Sequence, residues 1–313
     1  MSHTIRIGLD IGGTKTEIIA LEKNNDKPLY RKRVPSVQGP ERTVQNVSEL
    51  VDEAEATLGR TGTVGIGIPG SLHPQTGLVQ NSQRLELSGH NLKKQLEDRL
   101  KRPIRIENDA NCFTLSEAID GAGAGARLVL GLIIGTGVGG GLVFEKKLYS
   151  GGANIAGEFG HNPLPWPTRE EFERHPNCTG CHGHGCIDAW VSGPSFKRDY
   201  NENNPDQAAE PLSNHDIIRC YRQGKTTAVE AFEHYTDRLA RTLATLINAL
   251  DPDLIVAGGG MSNIPELYEI VPQKIETYCF GGDLNTAFKP ALHGDASGVR
   301  GAAWLWNDDL HVG

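Results

Sequence analysis

The chain has 313 residues, 38% of them hydrophobic and 22% charged, with a formal net charge of −8. That length suggests two domains at roughly 150 residues each. The acidic surplus argues against a nucleic-acid partner, which needs a basic surface. No apolar run approaches the roughly 20 residues of a membrane span. The opening MSHTIRIGLD reads as a strand rather than a secretory leader, so a cytoplasmic protein is expected.

Residues 5–10 and 17–21 read as short strands around Asp10-Ile11-Gly12-Gly13-Thr14-Lys15, a hairpin with a Gly-Gly turn. Such a turn offers consecutive backbone N–H groups to phosphate oxygens. Thr14 adds a hydroxyl, and Asp10 is placed to hold Mg2+ directly or through water. A plain hairpin with a surface Asp and Lys is the competing reading.

A helix is expected over 41–58, where Val44, Val47, Val51, Ala54 and Leu58 recur at helical spacing. Strands follow at 63–68, ending in Pro69-Gly70-Ser71, and at 78–80, leading to Asn81. A helix at 92–100, a strand at 103–107 and a helix at 112–118 complete an α/β pattern. Asp109, in Asn108-Asp109-Ala110-Asn111, therefore lies where a strand gives way to a helix, the usual ligand-binding position of open α/β sheets. Taken alone, Asp109 reads first as a helix cap. The Gly/Ala-rich residues 121–125 are the expected domain crossover.

Next comes a strand at 128–134, then Gly135-Thr136-Gly137-Val138-Gly139-Gly140-Gly141, then Leu142-Val143-Phe144. The run contains G-x-G-x-x-G, but a dinucleotide site requires that motif to open a helix. Here a strand follows, which excludes the oxidoreductase reading and makes a second glycine hairpin. GLDIGGTKTEIIAL and GLIIGTGVGGGLVF, about 125 residues apart, point to a duplicated domain with one phosphate-contacting turn in each half.

Residues 157–188 hold Cys178, Cys181 and Cys186 in a C-x2-C-x4-C pattern rich in glycine. Zinc thiolate knuckles need such spacing, with sulfurs about 2.3 Å from the ion. His161, His175, His182 or His184 would supply the fourth ligand, and spacing does not choose among them. A disulfide with a spare thiol is the alternative, disfavoured because nothing indicates an oxidising compartment. A helix is expected from residue 188, a loop at 201–211, and helices at 217–223 and 227–250. In the last, Ala231, Tyr235, Leu239, Leu243, Leu246 and Leu250 form a core stripe. A strand at 253–256 leads to Gly258-Gly259-Gly260, where a nucleoside could lie on bare backbone, and helices at 265–278 and 298–306 close the chain.

In this order the motifs resemble the ROK family of bacterial sugar kinases over essentially the whole length. They are DIGGTKT at 10–16, IPG at 68–70, NDAN at 108–111 and GTGVGGG at 135–141. GEFGH at 157–161, GCID at 185–188 and DLIVAGGG at 253–260 complete the series. Within the family, GHNPLPW at 160–166 and HGDASGVRGAAWLW at 293–306 are similar to fructokinases of the manno(fructo)kinase type. The resemblance implies a two-domain α/β actin/hexokinase-like (ribonuclease H-like) fold with a ligand cleft between the lobes. One lobe would span 1–120 with the C-terminal helix 298–313. The other would span 121–297 with a zinc-binding loop at 161–186. It implies ATP-dependent phosphorylation of a hexose, with fructose giving fructose 6-phosphate; N-acetylglucosamine, glucose and mannose are the alternatives. A sugar-responsive regulator is disfavoured, because a strand from residue 5 leaves no room for an N-terminal helix-turn-helix.

By the same resemblance Asp109 is the general base, and Gly70, Ser71, Asn81, Asn108, Glu158, His161 and Asp188 bind the sugar. Asp10, Gly12, Gly13, Thr14, Lys15, Gly135, Thr136 and Gly137 serve ATP and Mg2+, and Gly258, Gly259 and Gly260 border the adenosine. A structural Zn2+ is held by His161, Cys178, Cys181 and Cys186, and a homodimer is implied. The chain departs from the family in two places: C-x2-C replaces C-x-C, which would displace the Cys178 arm, and Asp188 replaces Glu.

Overall fold

The computed structural model describes residues 5–22, 25–82, 86–204, 210–281 and 284–306. Residues 307–313 of the expected C-terminal helix, and 205–209 of the expected loop, lie outside them. The chain divides into two compact units. The first comprises the residues up to Gly131, Gly141–Gly157 and those from Ala291; the second comprises Leu132–Gly140 and Glu158–Pro290. The Gly/Ala-rich segment 121–125 lies inside the first unit.

Elements run β1 (Ile5–Ile11), β2 (Lys15–Glu22), β3 (Asn25–Pro35), α1 (Pro40–Leu58), β4 (Gly62–Ile68), β5 (Ser71–Leu72), β6 (Val79–Gln80), α2 (Leu92–Leu100), β7 (Ile104–Asn108) and α3 (Asp109–Ile119). There follow β8 (Leu128–Ile134), β9 (Val138–Phe144), β10 (Lys147–Leu148), α4 (Arg169–Arg174), α5 (Ile187–Val191) and α6 (Gly193–Asn203). The series ends with α7 (Asn214–Arg222), α8 (Thr226–Leu250), β11 (Leu254–Gly258), α9 (Leu267–Ile275), β12 (Ala287–Pro290) and α10 (Ser297–Trp304). One sheet has the order β3-β2-β1-β4-β7 and the other β10-β9-β8-β11-β12, so the plan repeats. In the first, β1 and β2 pair antiparallel while β1-β4 and β4-β7 are parallel. The duplication read from the two glycine hairpins extends to the whole sheet.

Several elements differ from expectation. β3 is an edge strand whose NDKPLYRKRVP carries charges along its length, and β12 is only four residues, so neither shows a buried-strand pattern. α6 starts at Gly193-Pro194, which reads as a break; proline is in fact tolerated in the first helical turn. Residues 201–203, expected as loop, are its last turn.

Both faces of the first sheet are buried. Ile7, Leu9, Ile18 and Ala20 pack with Val47, Val51 and Ala54 of α1. Ile19 and Leu21, alternating with those on β2, pack with Val299 and Ala303 of α10. α10 lies directly on backbone: a Cβ at Gly8 would overlap the Val299 carbonyl, and one at Gly65 the Ala302 carbonyl. α3 is treated the same way. A Cβ at Gly301 would overlap the Cys112 carbonyl, one at Gly131 the Thr114 hydroxyl, and one at Gly141 would stand 2.7 Å from Asn111 Oδ1. Residues 110–118 of α3 are accordingly buried without a polar face.

Gly301→Ala tests this contact. Alanine is the better helix former by about 1 kcal/mol, but here its methyl meets a fixed carbonyl, and overpacking costs about 1–3 kcal/mol. We expect a Tm lower by roughly 2–10 °C for a chain of this size; an equal or higher Tm would mean the two helices are not in backbone contact.

Candidate active site

In the first unit, Asp10 lies near the end of β1, opposite Glu17 and beside Gly67. The following turn is closed by the Gly12 N–H donating to the Lys15 carbonyl at 2.9 Å. Ser36 donates its Oγ to the Gly12 carbonyl (2.6 Å) and its N–H to the Thr14 carbonyl (3.0 Å), tying turn carbonyls back to β3's end. Lys15 is half-exposed, 3.9 Å from Asp295. Burial, then Asp109 and Glu17, raise the Asp10 carboxyl to about 7, against the pull of Lys15 and Arg33. The Asp10 carboxylate stands over the first turn of α10, where a Cβ on Gly298 would come within 2.8 Å of Oδ2.

Asp109 opens α3, but it is Asn108 that caps the helix, its Oδ1 accepting from the N–H groups of Ala110 (2.9 Å) and Asn111 (3.2 Å). The cap reading of Asp109 is therefore corrected: Asn108 holds the cap position, while Asp109 Oδ1 shares the Ala110 N–H at 2.8 Å. Asn108 Nδ2 donates to the Gly70 carbonyl at 3.1 Å, which fixes the 69–71 turn beside the cap. Gly70 has φ +93°, and a Cβ there would overlap the Gln80 carbonyl, so only glycine fits. The Ser71 side chain is buried and accepts from Gln80 Nε2 at 2.9 Å. Asn81, with φ +59°, is exposed. Glu107, not singled out from the sequence, accepts from the Asn108 N–H at 2.8 Å, Asn111 Nδ2 at 3.0 Å and Ser150 Oγ at 2.8 Å.

In the second unit the Gly135–Gly137 turn is closed by the Gly135 N–H donating to the Gly137 carbonyl at 2.9 Å. Two further glycines pack on it. The Gly193 N–H donates to the Gly135 carbonyl at 2.9 Å, and Gly259 (φ +85°) has room for no Cβ, the Ile134 carbonyl lying 2.5 Å from where one would stand. Gly258–Gly260 and the second hairpin turn are thus neighbours, with Thr136 and Gly260 exposed. Asn214, also missed, secures the corner by donating Nδ2 to the Gly193 carbonyl at 2.9 Å. Asp188 accepts the Val138 N–H at Oδ2 (2.7 Å), and its Oδ1 faces Cys178 Sγ at 3.7 Å. Its carboxylate therefore joins the second hairpin to the cysteine loop.

In that loop the ligand atoms of His161, Cys178, Cys181 and Cys186 all lie within 4.8 Å of one another. Tetrahedral zinc places its ligand atoms roughly 3.5–3.8 Å apart, given bonds of about 2.1–2.3 Å. The Cys178 N–H donates to the Gly183 carbonyl and the Gly185 N–H to the Pro176 carbonyl, both at 2.8 Å, so the C-x2-C arm closes without leaving Cys178 outside. His161 turns Nδ1 to Cys178 Sγ (3.9 Å) and Nε2 to Glu158 Oε2 (3.8 Å). A metal on Nδ1 with a carboxylate behind Nε2 is the arrangement that fixes a ligating imidazole. His175 and His184 instead lie ring to ring at 5.9 Å. Burial pushes the Cys186 thiol up to about 12 and raises Cys178 as well, so a metal binding here would displace protons.

A model of the ROK family matches residues 6–309. The chain belongs to the ROK family. It is 38% identical over 304 residues to an N-acetyl-D-glucosamine kinase of Haemophilus influenzae, covering 96% of this chain and 98% of that one. It is 39% identical to the enzyme of that name from Shigella boydii, covering 95% and 98%. Among solved structures, a ROK hexokinase from Thermus thermophilus matches with a TM-score of 0.85 at 29% identity, covering 97% and 99%. A ROK glucokinase from Streptomyces griseus, in complex with glucose and AMPPNP, matches at 0.77 and 28%, covering 96% and 98%. The two-domain α/β fold and the sugar-kinase class expected from the motifs hold. Fructose appears in none of these names. Among the described residues no helix is long and apolar enough to cross a membrane.

The ROK chain secures the segment after His161 from α8. Arg241 gives Nη1 and Nη2 to Glu171 (3.0 and 2.9 Å) and Nη1 also to the Trp166 carbonyl, while Arg238 gives Nε to Glu171 at 2.6 Å. All three side chains are at most 10% exposed. Burial alone would raise the Glu171 carboxyl, but Arg241 and Arg238 hold it down at about 2. A depressed carboxylate pKa gives stability that is full above the unfolded value near 4.3 and lost as pH falls toward 2. Glu171→Gln is expected to cost roughly 3 kcal/mol at neutral pH, the scale for breaking a buried pair, and to flatten the acid limb between about pH 5 and 2. Urea unfolding across pH checks it; parallel curves for parent and variant would count against the pairing.

Proposed function

We propose that this ROK sugar kinase transfers the γ-phosphate of ATP to a hydroxyl of N-acetylglucosamine. The observation that carries the acceptor is identity of 36–39% over at least 95% of the chain to kinases bearing that sugar's name. Fructose, expected from the 160–166 and 293–306 segments, becomes the second choice.

Phosphoryl transfer asks a protein mainly for positioning and charge neutralisation. In this reading Asp109 accepts the proton of the acceptor hydroxyl. Asn108, Gly70, Ser71, Asn81, Glu158, His161 and Asp188 form the sugar-binding set. The Gly12–Thr14 and Gly135–Gly137 turns hold phosphates, with Gly258–Gly260 against the adenosine. Asp10 and Lys15 accompany Mg-ATP, and Mg2+ supplies charge neutralisation on the transferring group. His161 through Nδ1, with Cys178, Cys181 and Cys186, holds a structural zinc with no open position. The functional form is a homodimer.

Release of ADP measured with N-acetylglucosamine, fructose, glucose and mannose tests the acceptor. We expect kcat/KM to be highest for N-acetylglucosamine by about tenfold or more, the scale of one well-placed polar contact; a fructose preference would restore the other reading. Asp109→Asn should bind sugar much as the parent does yet turn over about 10² times more slowly, as for loss of a general base. Near-parental turnover would move the base elsewhere. Metal analysis should find one zinc per chain, lost from Cys181→Ser together with several degrees of Tm; a metal-free parent of full activity would remove zinc from the account.

A further inference from the structure

We propose that Glu107 is a positioning residue for Asp109, acting through the backbone and side chains on either side of it. The inference rests on the reading of Asp109 as the base. Glu107 sits in β7 one residue before the cap of α3, and its carboxylate receives three donors. Oε1 takes the Asn108 N–H (2.8 Å) and Asn111 Nδ2 (3.0 Å), and Oε2 takes Ser150 Oγ (2.8 Å). Asp109 is therefore bracketed in sequence by two residues bound to one carboxylate. Asn108 is in turn held from its other side, through its bonds to the Gly70 carbonyl and to the Ala110 and Asn111 N–H groups. Asn111 is 2% exposed, so its amide has no water to replace Glu107.

Glu107 and Ser150 also belong to the wall of a cavity of about 240 Å³, where Leu72, Leu115 and Leu148 stand alongside Lys93, Arg105 and Lys146. The Asn111 amide is buried, and a buried donor left unpaired carries its full desolvation cost. Removing the carboxylate leaves an amide and a backbone N–H unsatisfied beside the base, and the corner shifts to find other partners. A displacement of about 1 Å at a reacting group can cost on the order of 10² in rate.

The geometry distinguishes hydrogen bonding from charge. A glutamine at 107 can set its oxygen toward Asn108 and Asn111 and its NH2 toward Ser150, whose hydroxyl can accept as well as donate. An aspartate keeps the charge but falls one methylene short. We therefore expect Glu107→Gln to keep kcat within about threefold of the parent, while Glu107→Asp and Glu107→Ala lose about tenfold or more. The loss should fall on kcat, with KM for ATP unchanged, and the pH profile of Glu107→Gln should overlay the parent's. Ser150→Ala, which removes one donor of the three, should lose about two- to threefold, a fraction of the full effect. If Glu107→Ala does not fold, the Asp and Gln variants decide. The inference is overturned if Gln is as damaging as Ala, since the hydrogen bonds it can make would then not suffice, or if Asp and Ala both turn over within twofold of the parent. Asp109→Asn separates the two levels: if it retains turnover, the base is misassigned whatever Glu107 does. If it is inactive while the Glu107 variants are normal, only the present inference falls.

Discussion

A helix with no exposed face cannot be placed by an amphipathic stripe; it must be gripped on all sides. α3, which begins at Asp109, is gripped through missing side chains. Gly301 brings α10 onto the Cys112 carbonyl, and Gly131 and Gly141 bring β8 and β9 onto Thr114 and Asn111. Where backbone meets backbone, as Gly301 meets Cys112, packing is least adjustable, because no rotamer can relieve a change. The same device seats α10 on β1 and β4 through Gly8 and Gly65. The acidic end of α3 thereby inherits the rigidity of the first sheet, which is what the base proposed at Asp109 would require.

The second unit uses glycine differently. Gly193 and Gly259 crowd the Gly135–Gly137 turn from α6 and from the end of β11, while Asp188 takes the Val138 N–H one residue later. Asp188 also faces Cys178, so the cysteine loop and the hairpin turn share a carboxylate. A loop of small residues has little apolar surface with which to order itself. Three thiols and an imidazole converge within 4.8 Å, where the proposed zinc would supply the order that burial cannot. On its outer side, Arg238 and Arg241 reach in from α8 to Glu171, so the loop's approach is fixed by ion pairs.

Much of this was legible in the sequence, and the illegible parts share a cause. The glycine hairpins were readable because each turn is flanked by apolar strands, a purely local pattern. β3 was not, since an edge strand carries charges without penalty and so lacks the expected alternation. The four histidines near the cysteines were indistinguishable by spacing; His161 joins the thiols while His175 and His184 lie ring to ring, with Gly180 and Gly185 leaving room for the His161 and His175 rings. Asn108 and Asp109 are both good cap residues, and only the bond to the Gly70 carbonyl decides which faces inward. Ser36, Glu107, Ser150 and Asn214 gave no signal at all, because each acts on a residue distant in sequence or on its neighbour's backbone.

The two sheets repeat one strand order, yet their hairpin turns are braced by unlike chemistry. The first is braced by hydroxyls, with Ser36 accepting from Thr16 at 3.0 Å while donating to the Gly12 carbonyl. It also has a buried carboxylate nearby in Asp10, whose pKa of about 7 reflects burial beside Asp109 and Glu17. The second is braced by glycine backbone and by Asp188, whose Oδ2 takes a backbone N–H. A carboxylate raised toward neutrality by neighbouring acids gains from a nearby cation, whereas one engaged by a backbone N–H is satisfied without one. The two turns are thus differentiated electrostatically: under the proposed function the first, with Asp10 nearby, suits phosphate accompanied by a divalent ion, and the second suits phosphate held by backbone.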